Sequence, residues 1–346
     1  MISPATRGTG PGPAMLARRR GEPGCVTPAA IQGQTAPYTF RRVMRTQIDD
    51  TLIVKSAGRN AGPAEARRTP PERLGRYKIL HELGKGAMGV VYRALDPTIN
   101  REVALKAIPL AAEFEGEELE EARTKFFREA EMAGRLSHPH IVTIYDAGED
   151  RGIAYIAMEL LRGRHLVEYT DASRLLPTRE ALEIVARLAD ALHYAHLCRV
   201  VHRDIKPANV MYDPQSAELK ITDFGIARLT DTSRTRTGVV LGTPSFMSPE
   251  QLAGRVVTGS SDLFSLAVTA FQLLTGQLPF RGDSMPALML RIAHEPNPRI
   301  RNIRPDLPAG LDEVFDRALA KQPADRIASG AAFACALRDV NAATGG

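Results

Sequence analysis

Two short stretches of the sequence concentrate side chains that can do chemistry. The first, "HRDIKPANV" at residues 202–210, places a histidine, two cations, a carboxylate and an amide close together. It follows neither the period of two of a strand nor the 3.6-residue stripe of a helix, so we expect a loop. The second, "LKITDFGIARL" at residues 219–229, predicts a short strand that ends in Asp-Phe-Gly.

Three oxygen-bearing side chains in these stretches suggest a metal site. Asp204, Asn209 and Asp223 lie within about twenty residues of one another, and two of them flank a predicted hairpin, so they can converge. Hard oxygen ligands suit Mg²⁺, which binds through one or two carboxylates and the phosphates of a substrate. Lys206 can neutralise charge that develops on a transferred phosphoryl group. The chemistry indicated is phosphoryl transfer.

A glycine-rich segment precedes these stretches, within "RYKILHELGKGAMGVVYRAL" at residues 76–95. The pattern predicts a β-hairpin whose turn carries Gly84, Gly86 and Gly89. Glycines let the backbone approach phosphate oxygens and donate N–H groups to them. A strand follows these glycines, whereas the dinucleotide-binding fingerprint opens a helix, so a simple flexible hairpin stays an alternative.

A lysine and a glutamate follow on neighbouring elements. Residues 101–108 predict a strand that carries Lys106, and residues 117–136 predict an amphipathic helix. Glu129 lies beside the apolar stripe of this helix, where a carboxylate needs a cationic partner. Lys106 is the candidate, although a lysine in a strand, taken alone, more often faces solvent. The stripe is predicted to comprise Phe126, Phe127, Ala130 and Ala133.

The second half of the chain is predicted to be mainly helical. Two strands around a glycine-bearing turn span residues 141–163, and Thr178 is predicted to cap the helix that follows. The segment "DLFSLAVTAFQLLTG" at residues 262–276 is apolar nearly all round, which is typical of a buried central helix. Gly276 is predicted to end that helix.

The basic balance of the chain belongs to its first segment. The net charge is +5, and eleven Lys and Arg residues against four acids lie between residues 7 and 68. Residues 1–72 are rich in Gly, Pro, Ala and Arg, so we expect a disordered arm, or a start codon assigned too far upstream. With three distant cysteines and no long apolar window, we expect a cytoplasmic protein that lacks disulfides, a zinc site and a membrane segment.

The chain from about Arg73 to Asn341 resembles the eukaryotic-like (Hanks-type) Ser/Thr protein kinases of bacteria, because the motifs above occur in that family's order. The resemblance implies an α+β, bilobal protein-kinase fold. Its N-lobe would be small and mainly antiparallel β with one regulatory helix, and its C-lobe larger and mainly helical. The implied boundaries are 1–72 for the arm, 73–158 for the N-lobe, 159–162 for the hinge, 163–341 for the C-lobe and 342–346 for a tail.

The resemblance implies ATP as the nucleotide, bound with Mg²⁺ or alternatively Mn²⁺. Asn209 and Asp223 would bind the metal. Lys106 would hold the α- and β-phosphates and would itself be held by Glu129. The other residues that the resemblance assigns to ATP are Leu83, Gly84, Gly86, Gly89, Val91, Ala104, Met158, Glu159, Leu161 and Met211.

The resemblance also assigns catalytic and structural roles. Asp204 would accept the proton of the substrate hydroxyl, and Lys206, two residues on, is similar to the lysine of kinases that act on Ser and Thr. Thr243 would bond both residues. The implied structural contacts are His202 under Phe224, Asp262 against the backbone of the catalytic loop, and Glu250 paired with Arg326.

Regulation is predicted from Arg203 and the segment that follows Asp-Phe-Gly. Arg203 is predicted to be a buried cation that needs an anion, and residues 230–240 hold five hydroxyl side chains. We expect autophosphorylation at Thr237, and next at Thr235, to activate the protein. The stretch "TQID" at residues 46–49 is similar to sites that phosphothreonine-reading forkhead-associated domains favour.

Two other functions are alternatives for this sequence. A pseudokinase-like, ATP-binding signalling scaffold shares the fold, but such proteins often lose the lysine, the catalytic Asp or the metal Asp. Because Lys106, Asp204 and Asp223 are all present, an active enzyme is favoured. A nucleic-acid-binding protein could use the basic arm, yet the folded part contains no recognition module, so nucleic acid is not expected as a partner.

Overall fold

The computed structural model describes residues 71–86, 89–224 and 244–343. The predicted arm and the predicted phosphorylation segment lie almost entirely outside these residues. The N-lobe is built on an antiparallel sheet of six strands in the order β1-β2-β3-β4-β6-β5. The strands are β1 (Arg73–Leu74), β2 (Tyr77–Gly86), β3 (Gly89–Asp96), β4 (Arg101–Ile108), β5 (Ile144–Asp150) and β6 (Ile153–Met158).

Two helices lie between β4 and β5. The short α1 spans Leu110–Glu113, and α2 spans Gly116–Gly134. Phe126 and Ala130 of α2 pack with Ile156 of the sheet, so the amphipathic helix predicted from the sequence is present. One member of its predicted stripe is wrong: Phe127 is 38% exposed. The residue adjacent to Phe126 is turned by about 100° around the helix axis and therefore leaves the packed face.

The C-lobe is mainly helical. Its small sheet has the order β7-β8-β9, formed by β7 (Arg164–His165), β8 (Val210–Asp213) and β9 (Glu218–Ile221). Its helices are α3 (Thr178–Leu197), α4 (Pro249–Leu252), α5 (Gly259–Thr275), α6 (Met285–His294), α7 (Gly310–Ala318) and α8 (Gly330–Ala343). The antiparallel N-lobe and helical C-lobe confirm the predicted α+β class.

Helices α3 and α5 form the centre of the C-lobe core, and α3 also packs against α8. Helix α5 is apolar nearly all round and almost fully buried, as predicted, although it begins at Gly259 and not at Asp262. Gly276 ends it with a φ of 72°, a left-handed conformation that glycine adopts without strain. The predicted cap of α3 is wrong, because Thr178 is its first helical residue and Pro177 occupies the cap position.

A short parallel bridge connects the region of α2 to the C-lobe sheet. Ile141 pairs with Ile221 of β9, and the amide of Val142 donates to the carbonyl oxygen of Ile221 at 2.9 Å. The end of β9 is thereby fixed against the chain that enters β5. Within the described residues, none of the helices combines the length and apolar character that crossing a membrane requires.

Candidate active site

The glycine hairpin is formed by β2 and β3, whose register pairs Gly84 with Val91 and Gly86 with Gly89. Gly89 has a φ of 142°, and a Cβ atom on it would lie 2.1 Å from the carbonyl oxygen of Ala107 on β4. Only glycine fits there. Gly86, in contrast, has open space around its Cα. The hairpin that the sequence predicts is therefore present, and its tight return at Gly89 is dictated by the adjacent strand.

Lys106 lies in β4 and is 8% exposed, so it does not face solvent. Its ammonium donates to Oδ1 of Asp223 at 2.8 Å. The predicted partner, Glu129, is also buried, on the sheet-facing side of α2. Among the described residues, however, no ion pair joins Lys106 to Glu129. The expected Lys106–Glu129 pair is therefore not formed in this structure, because the lysine reaches across to the Asp-Phe-Gly segment.

Asp204 and its neighbours form the loop that the sequence predicts between α3 and β8. Asn209 Nδ2 donates to the carbonyl oxygen of Asp204 at 2.7 Å and to its Oδ2 at 2.9 Å. Lys206 Nζ lies 2.8 Å from the same Oδ2. A single turn of 3₁₀-helix over Pro207–Asn209 closes the loop. Two donors thus hold the carboxylate of Asp204 in one orientation at the cleft.

His202 supports this loop from below. Its Nδ1 accepts from the amide of Asp204 at 3.2 Å, and its Nε2 donates to the carbonyl oxygen of Thr222 at 2.8 Å. This pattern requires the neutral imidazole. The ring is fully buried and meets the ring of Phe224 edge to face at 4.6 Å. The predicted packing of His202 against Phe224 is confirmed.

Asp262 braces the same loop from α5. Its Oδ2 accepts from the amide of His202 at 2.8 Å, and its Oδ1 accepts from the amide of Arg203 at 2.7 Å. His196 also lies against this carboxylate, with Nε2 at 2.8 Å from Oδ2. Arg203 has a φ of 71°, a strained value for a residue other than glycine. The predicted bracing role of Asp262 is confirmed, and it holds a strained backbone in place.

Asn209 and Asp223 stand at the two open ends of the β8–β9 hairpin, as predicted. The amide of Thr222 donates to the carbonyl oxygen of Asn209 at 2.9 Å, which brings the ends together. Asp223 has a φ of 64°, again in the left-handed region. Strained backbone of this kind clusters at functional sites, where the surrounding packing maintains it.

The electrostatics favour an ionised Asp223. Burial of this carboxylate raises its pKa, but the charge of Lys106, the hydrogen bond from its ammonium and the nearby charge of Lys206 together outweigh burial, so the pKa lies below the ordinary value of 3.8. Asp223 is therefore negatively charged at neutral pH, which is the form that binds a metal ion.

A small apolar cluster lies beside the predicted hinge. Ala104, Val142 and Met158 are its buried members, and Val91, Leu160 and Leu161 pack against them. The amide of Glu159 donates to the carbonyl oxygen of Thr143 at 2.9 Å. Met211 lies in β8 and is half-buried. The residues that the resemblance assigns to the adenine base thus include an apolar group of the kind that lines sites for flat aromatic ligands.

The predicted ion pair between Glu250 and Arg326 is formed in the C-lobe. Arg326 binds Glu250 with both arms of its guanidinium, Nη1 to Oε1 and Nη2 to Oε2, each at 2.7 Å. Both residues are buried.

The predicted regulatory residues are only partly described. Arg203 is half-buried, not buried as predicted. Thr235, Thr237 and Thr243 lie outside the described residues.

Sequence reasoning missed Lys220. Its ammonium donates to Oε2 of Glu159 at 2.9 Å, and the amide of Thr143 donates to the same oxygen at 3.3 Å. Lys220 alternates with the buried Leu219 and Ile221, so the strand pattern predicts only a solvent-facing side chain. No local signal reveals its partner, because Glu159 is 61 positions away.

Glycine backbone and a lysine lie on one side of the cleft and two oxygen-bearing side chains on the other, which is the arrangement expected of a fold for nucleotide-dependent phosphoryl transfer. Residues 77–336 match the model of the protein kinase domain. The chain therefore belongs to the protein kinase family.

Bacterial proteins of similar sequence are also named as protein kinases. "Serine/threonine-protein kinase PrkC" of Bacillus subtilis is 40% identical over 253 residues, which cover 73% of this chain and 38% of that protein. "Serine/threonine-protein kinase PknA" of Mycobacterium tuberculosis is 36% identical over 274 residues, covering 78% of this chain and 62% of PknA. The alignments thus span about two fifths to three fifths of these relatives.

A solved structure shows the same fold. The crystal structure of the Mycobacterium tuberculosis PknI kinase domain is 36% identical, has a TM-score of 0.62, and is matched over 78% of this chain and 97% of that chain. The resemblance to bacterial Hanks-type Ser/Thr kinases that the sequence predicts is confirmed.

Proposed function

We propose that this protein is an active protein kinase that transfers the γ-phosphate of ATP to Ser and Thr hydroxyls of other proteins. One observation carries the proposal: Lys106 of the N-lobe contacts Asp223 at 2.8 Å, and Asn209 and Lys206 hold the carboxylate of Asp204 at 2.9 and 2.8 Å. The amide of Thr222, next to Asp223, donates to the carbonyl oxygen of Asn209 at 2.9 Å and so brings the two groups together. Catalysis of this reaction consists mainly of positioning and charge neutralisation, which such an arrangement supplies.

Each residue has a distinct task in this proposal. Asp204, held by Asn209 and Lys206, takes the proton of the substrate hydroxyl. The hydroxyl oxygen forms a bond to the γ-phosphorus while the bond between that phosphorus and ADP breaks. Lys206 then stabilises the charge on the phosphoryl group. Lys106 contacts Asp223 at 2.8 Å in this structure. When ATP binds, its ammonium would leave Asp223 and contact the α- and β-phosphates, whose negative charge it neutralises.

The residues present fit a magnesium ion. Asn209 uses its Nδ2 as a donor to Asp204, which leaves its amide oxygen as the atom for a metal, and Asp223 is ionised. When bound, the ion supplies positive charge that neutralises the phosphates. The hard oxygen pair favours Mg²⁺, and Mn²⁺ is the alternative that a direct comparison of the two metals would distinguish.

Regulation by autophosphorylation at Thr237 and Thr235 forms part of the proposal. Arg203 follows the buried His202 and is half-buried beside the catalytic carboxylate, where it can bind a phosphate. The variant with both threonines replaced by Ala should have clearly lower activity than the wild type. Equal rates would remove this element and leave the rest intact.

The partners are proposed to be proteins with Ser or Thr acceptors. A forkhead-associated domain that binds the "TQID" stretch at residues 46–49 is a further proposed partner, and Thr46→Ala should abolish its capture. These residues lie outside the described structure. A cytoplasmic location stays a prediction from the sequence.

The direct test is incubation with γ-labelled ATP, Mg²⁺ and a generic basic protein, followed by phosphoamino-acid analysis. Wild type should label Ser and Thr, and Asp204→Asn should lower the rate about a hundredfold or more. Asp213→Asn, at the end of β8, is the matched control and should retain the wild-type rate. Wild-type labelling that Asp204→Asn leaves unchanged would contradict the proposal.

A further inference from the structure

Lys220 and Glu159 form an ion pair that connects the interlobe hinge to strand β9. Lys220 Nζ lies 2.9 Å from Oε2 of Glu159, and the two side chains are only 12% and 24% exposed. Glu159 directly follows β6, and Lys220 lies three positions before Asp223. The pair therefore joins the segment assigned to adenine to the strand that ends at the metal ligand.

The carboxylate of Glu159 is held at more than one point. The amide of Thr143 donates to Oε2 at 3.3 Å, while the amide of Glu159 donates to the carbonyl oxygen of Thr143 at 2.9 Å. Side chain and backbone of Glu159 are thus both fixed to the segment that enters β5. These contacts fix the amide and the side chain of Glu159, one of the residues whose backbone groups the family resemblance assigns to the base.

The segment around Thr143 is in turn fixed to β9. The amide of Ile221 donates to the carbonyl oxygen of His140, and the amide of Val142 donates to that of Ile221, both at 2.9 Å. His140 Nδ1 lies 3.1 Å from the carbonyl oxygen of Leu219, and its Nε2 accepts from Arg187 Nε of α3 at 3.2 Å. Burial and the nearby Arg187 lower the pKa of His140 to about 4, so the ring is neutral and these two bonds persist at neutral pH.

These contacts form one continuous chain from Glu159 to the end of β9. Backbone hydrogen bonds, the His140 ring and the bond from the Thr143 amide to the Glu159 carboxylate make up most of the links. Lys220 adds a direct link, because its ammonium crosses from β9 to the hinge by a bond between two side chains. Removal of Lys220 therefore releases the Glu159 side chain from β9 without disturbing the backbone hydrogen bonds.

We propose that Lys220 is a positioning residue that favours adenine by anchoring the side chain of Glu159, the first hinge residue, to β9. The inference rests on the proposed function. It concerns the base and not the phosphates, because Lys220 acts on the segment whose backbone groups would bond the base. Rigid placement of those groups favours the nucleotide whose hydrogen-bonding edge matches them.

The test compares steady-state kinetics with ATP and with GTP. Lys220→Met should raise the KM for ATP about fivefold, the effect of losing one partly buried ion pair, with kcat and the KM for the protein substrate nearly unchanged. The ratio of kcat/KM for ATP over GTP should fall by a similar factor. A residue with a merely structural role would not move that ratio.

Three further variants sharpen the result. Lys220→Arg keeps the charge and should restore most of the preference for ATP. Glu159→Gln should reproduce the effect of Lys220→Met, and the double variant should be no worse than either single variant. Arg304→Met, which breaks an ion pair with Asp306 in the C-lobe, should leave the ATP to GTP ratio unchanged.

The outcome separates the two proposals. Calorimetric affinity for the nonhydrolysable analogue AMP-PNP, measured with Mg²⁺, tests Lys220 even if wild type transfers no phosphate. A fivefold weaker affinity in Lys220→Met would support the inference in that case. An ATP to GTP ratio and an AMP-PNP affinity equal to those of wild type, in a Lys220→Met protein of normal thermal stability, would overturn it.

Discussion

Lys106 and Asp223 face each other across the cleft, with Nζ and Oδ1 2.8 Å apart. Lys106 is assigned to the phosphates of ATP, and Asp223 is assigned to the metal ion. In this structure the two side chains contact and neutralise each other. The ammonium keeps the pKa of Asp223 below its ordinary value although burial raises it. The pair thus places one positive and one negative charge in direct contact within the cleft.

This pair predicts a pH-dependent effect of Lys106→Met. Because the folded pKa of Asp223 is lowered, its contribution to stability is present above the unfolded pKa near 3.8 and is lost as the pH falls below it. The variant should therefore lose about 2 kcal/mol of unfolding free energy at neutral pH and less near pH 3. Urea unfolding at both pH values measures this, and an equal loss at both would contradict it.

Gly89 and Gly86 form a matched pair for testing the hairpin. Gly89→Ala places a Cβ 2.1 Å from the carbonyl oxygen of Ala107 at a φ of 142°, whereas Gly86→Ala meets open space. Gly89→Ala should lower the unfolding free energy by about 2 kcal/mol or more, and Gly86→Ala by less than about 1 kcal/mol. Thermal unfolding of both proteins measures the difference. Equal melting temperatures would show that the strand return does not require glycine.

The buried ion pair in the C-lobe predicts acid sensitivity. Burial raises the pKa of Glu250, but the bonds from Arg326 and Ser261 outweigh it and lower the pKa to about 2 from 4.5. The associated stability, about 3 kcal/mol, is fully present above about pH 4.5 and is lost as the pH falls towards 2.

Glu250→Gln should remove this acid-dependent part and cost about 3–5 kcal/mol at neutral pH, because Arg326 stays buried without a counter-charge. Asp306→Asn is the control, since Asp306 pairs with Arg304 at the surface and the substitution should change stability far less. Denaturant unfolding against pH provides the measurement. A Glu250→Gln curve with the wild-type pH slope would contradict the assignment.

The brace at Asp262 predicts a local change in the catalytic loop. Asp262→Ala leaves the amides of His202 and Arg203 without their acceptor, so the strained φ of Arg203 is no longer enforced. Hydrogen exchange at these two amides should become faster by at least about tenfold. The decrease in kcat should be larger, as a factor, than any change in the KM for ATP. Asp213→Ala is the control. Unchanged exchange at both amides would exclude the bracing role.

Much of this site is predictable from the sequence, because its parts follow local rules. The β2–β3 hairpin, strand β4 and the convergence of Asn209 with Asp223 each depend on a short segment and its pattern. The contacts of His202 and Asp262 came from the family resemblance, and the structure confirms them.

The errors have physical causes. The apolar pattern places Phe127 in the packed stripe because its neighbour Phe126 belongs there, and Thr178 matches the pattern of a cap although Pro177 already fixes the chain before the helix. Whether Lys106 pairs with Glu129 is a question that the sequence leaves open, because the answer depends on where the two lobes meet, which no local pattern encodes. Lys220 was overlooked for the same reason, since its strand position alone predicts exposure.

The measurement that tests the central claim most directly is calorimetric binding of AMP-PNP with and without Mg²⁺. The account predicts one nucleotide per chain, with binding that weakens when Mg²⁺ is withdrawn and in both Asp223→Asn and Lys106→Met. Absence of binding by the folded wild-type protein, or affinity that is indifferent to Mg²⁺ and to both substitutions, would contradict it.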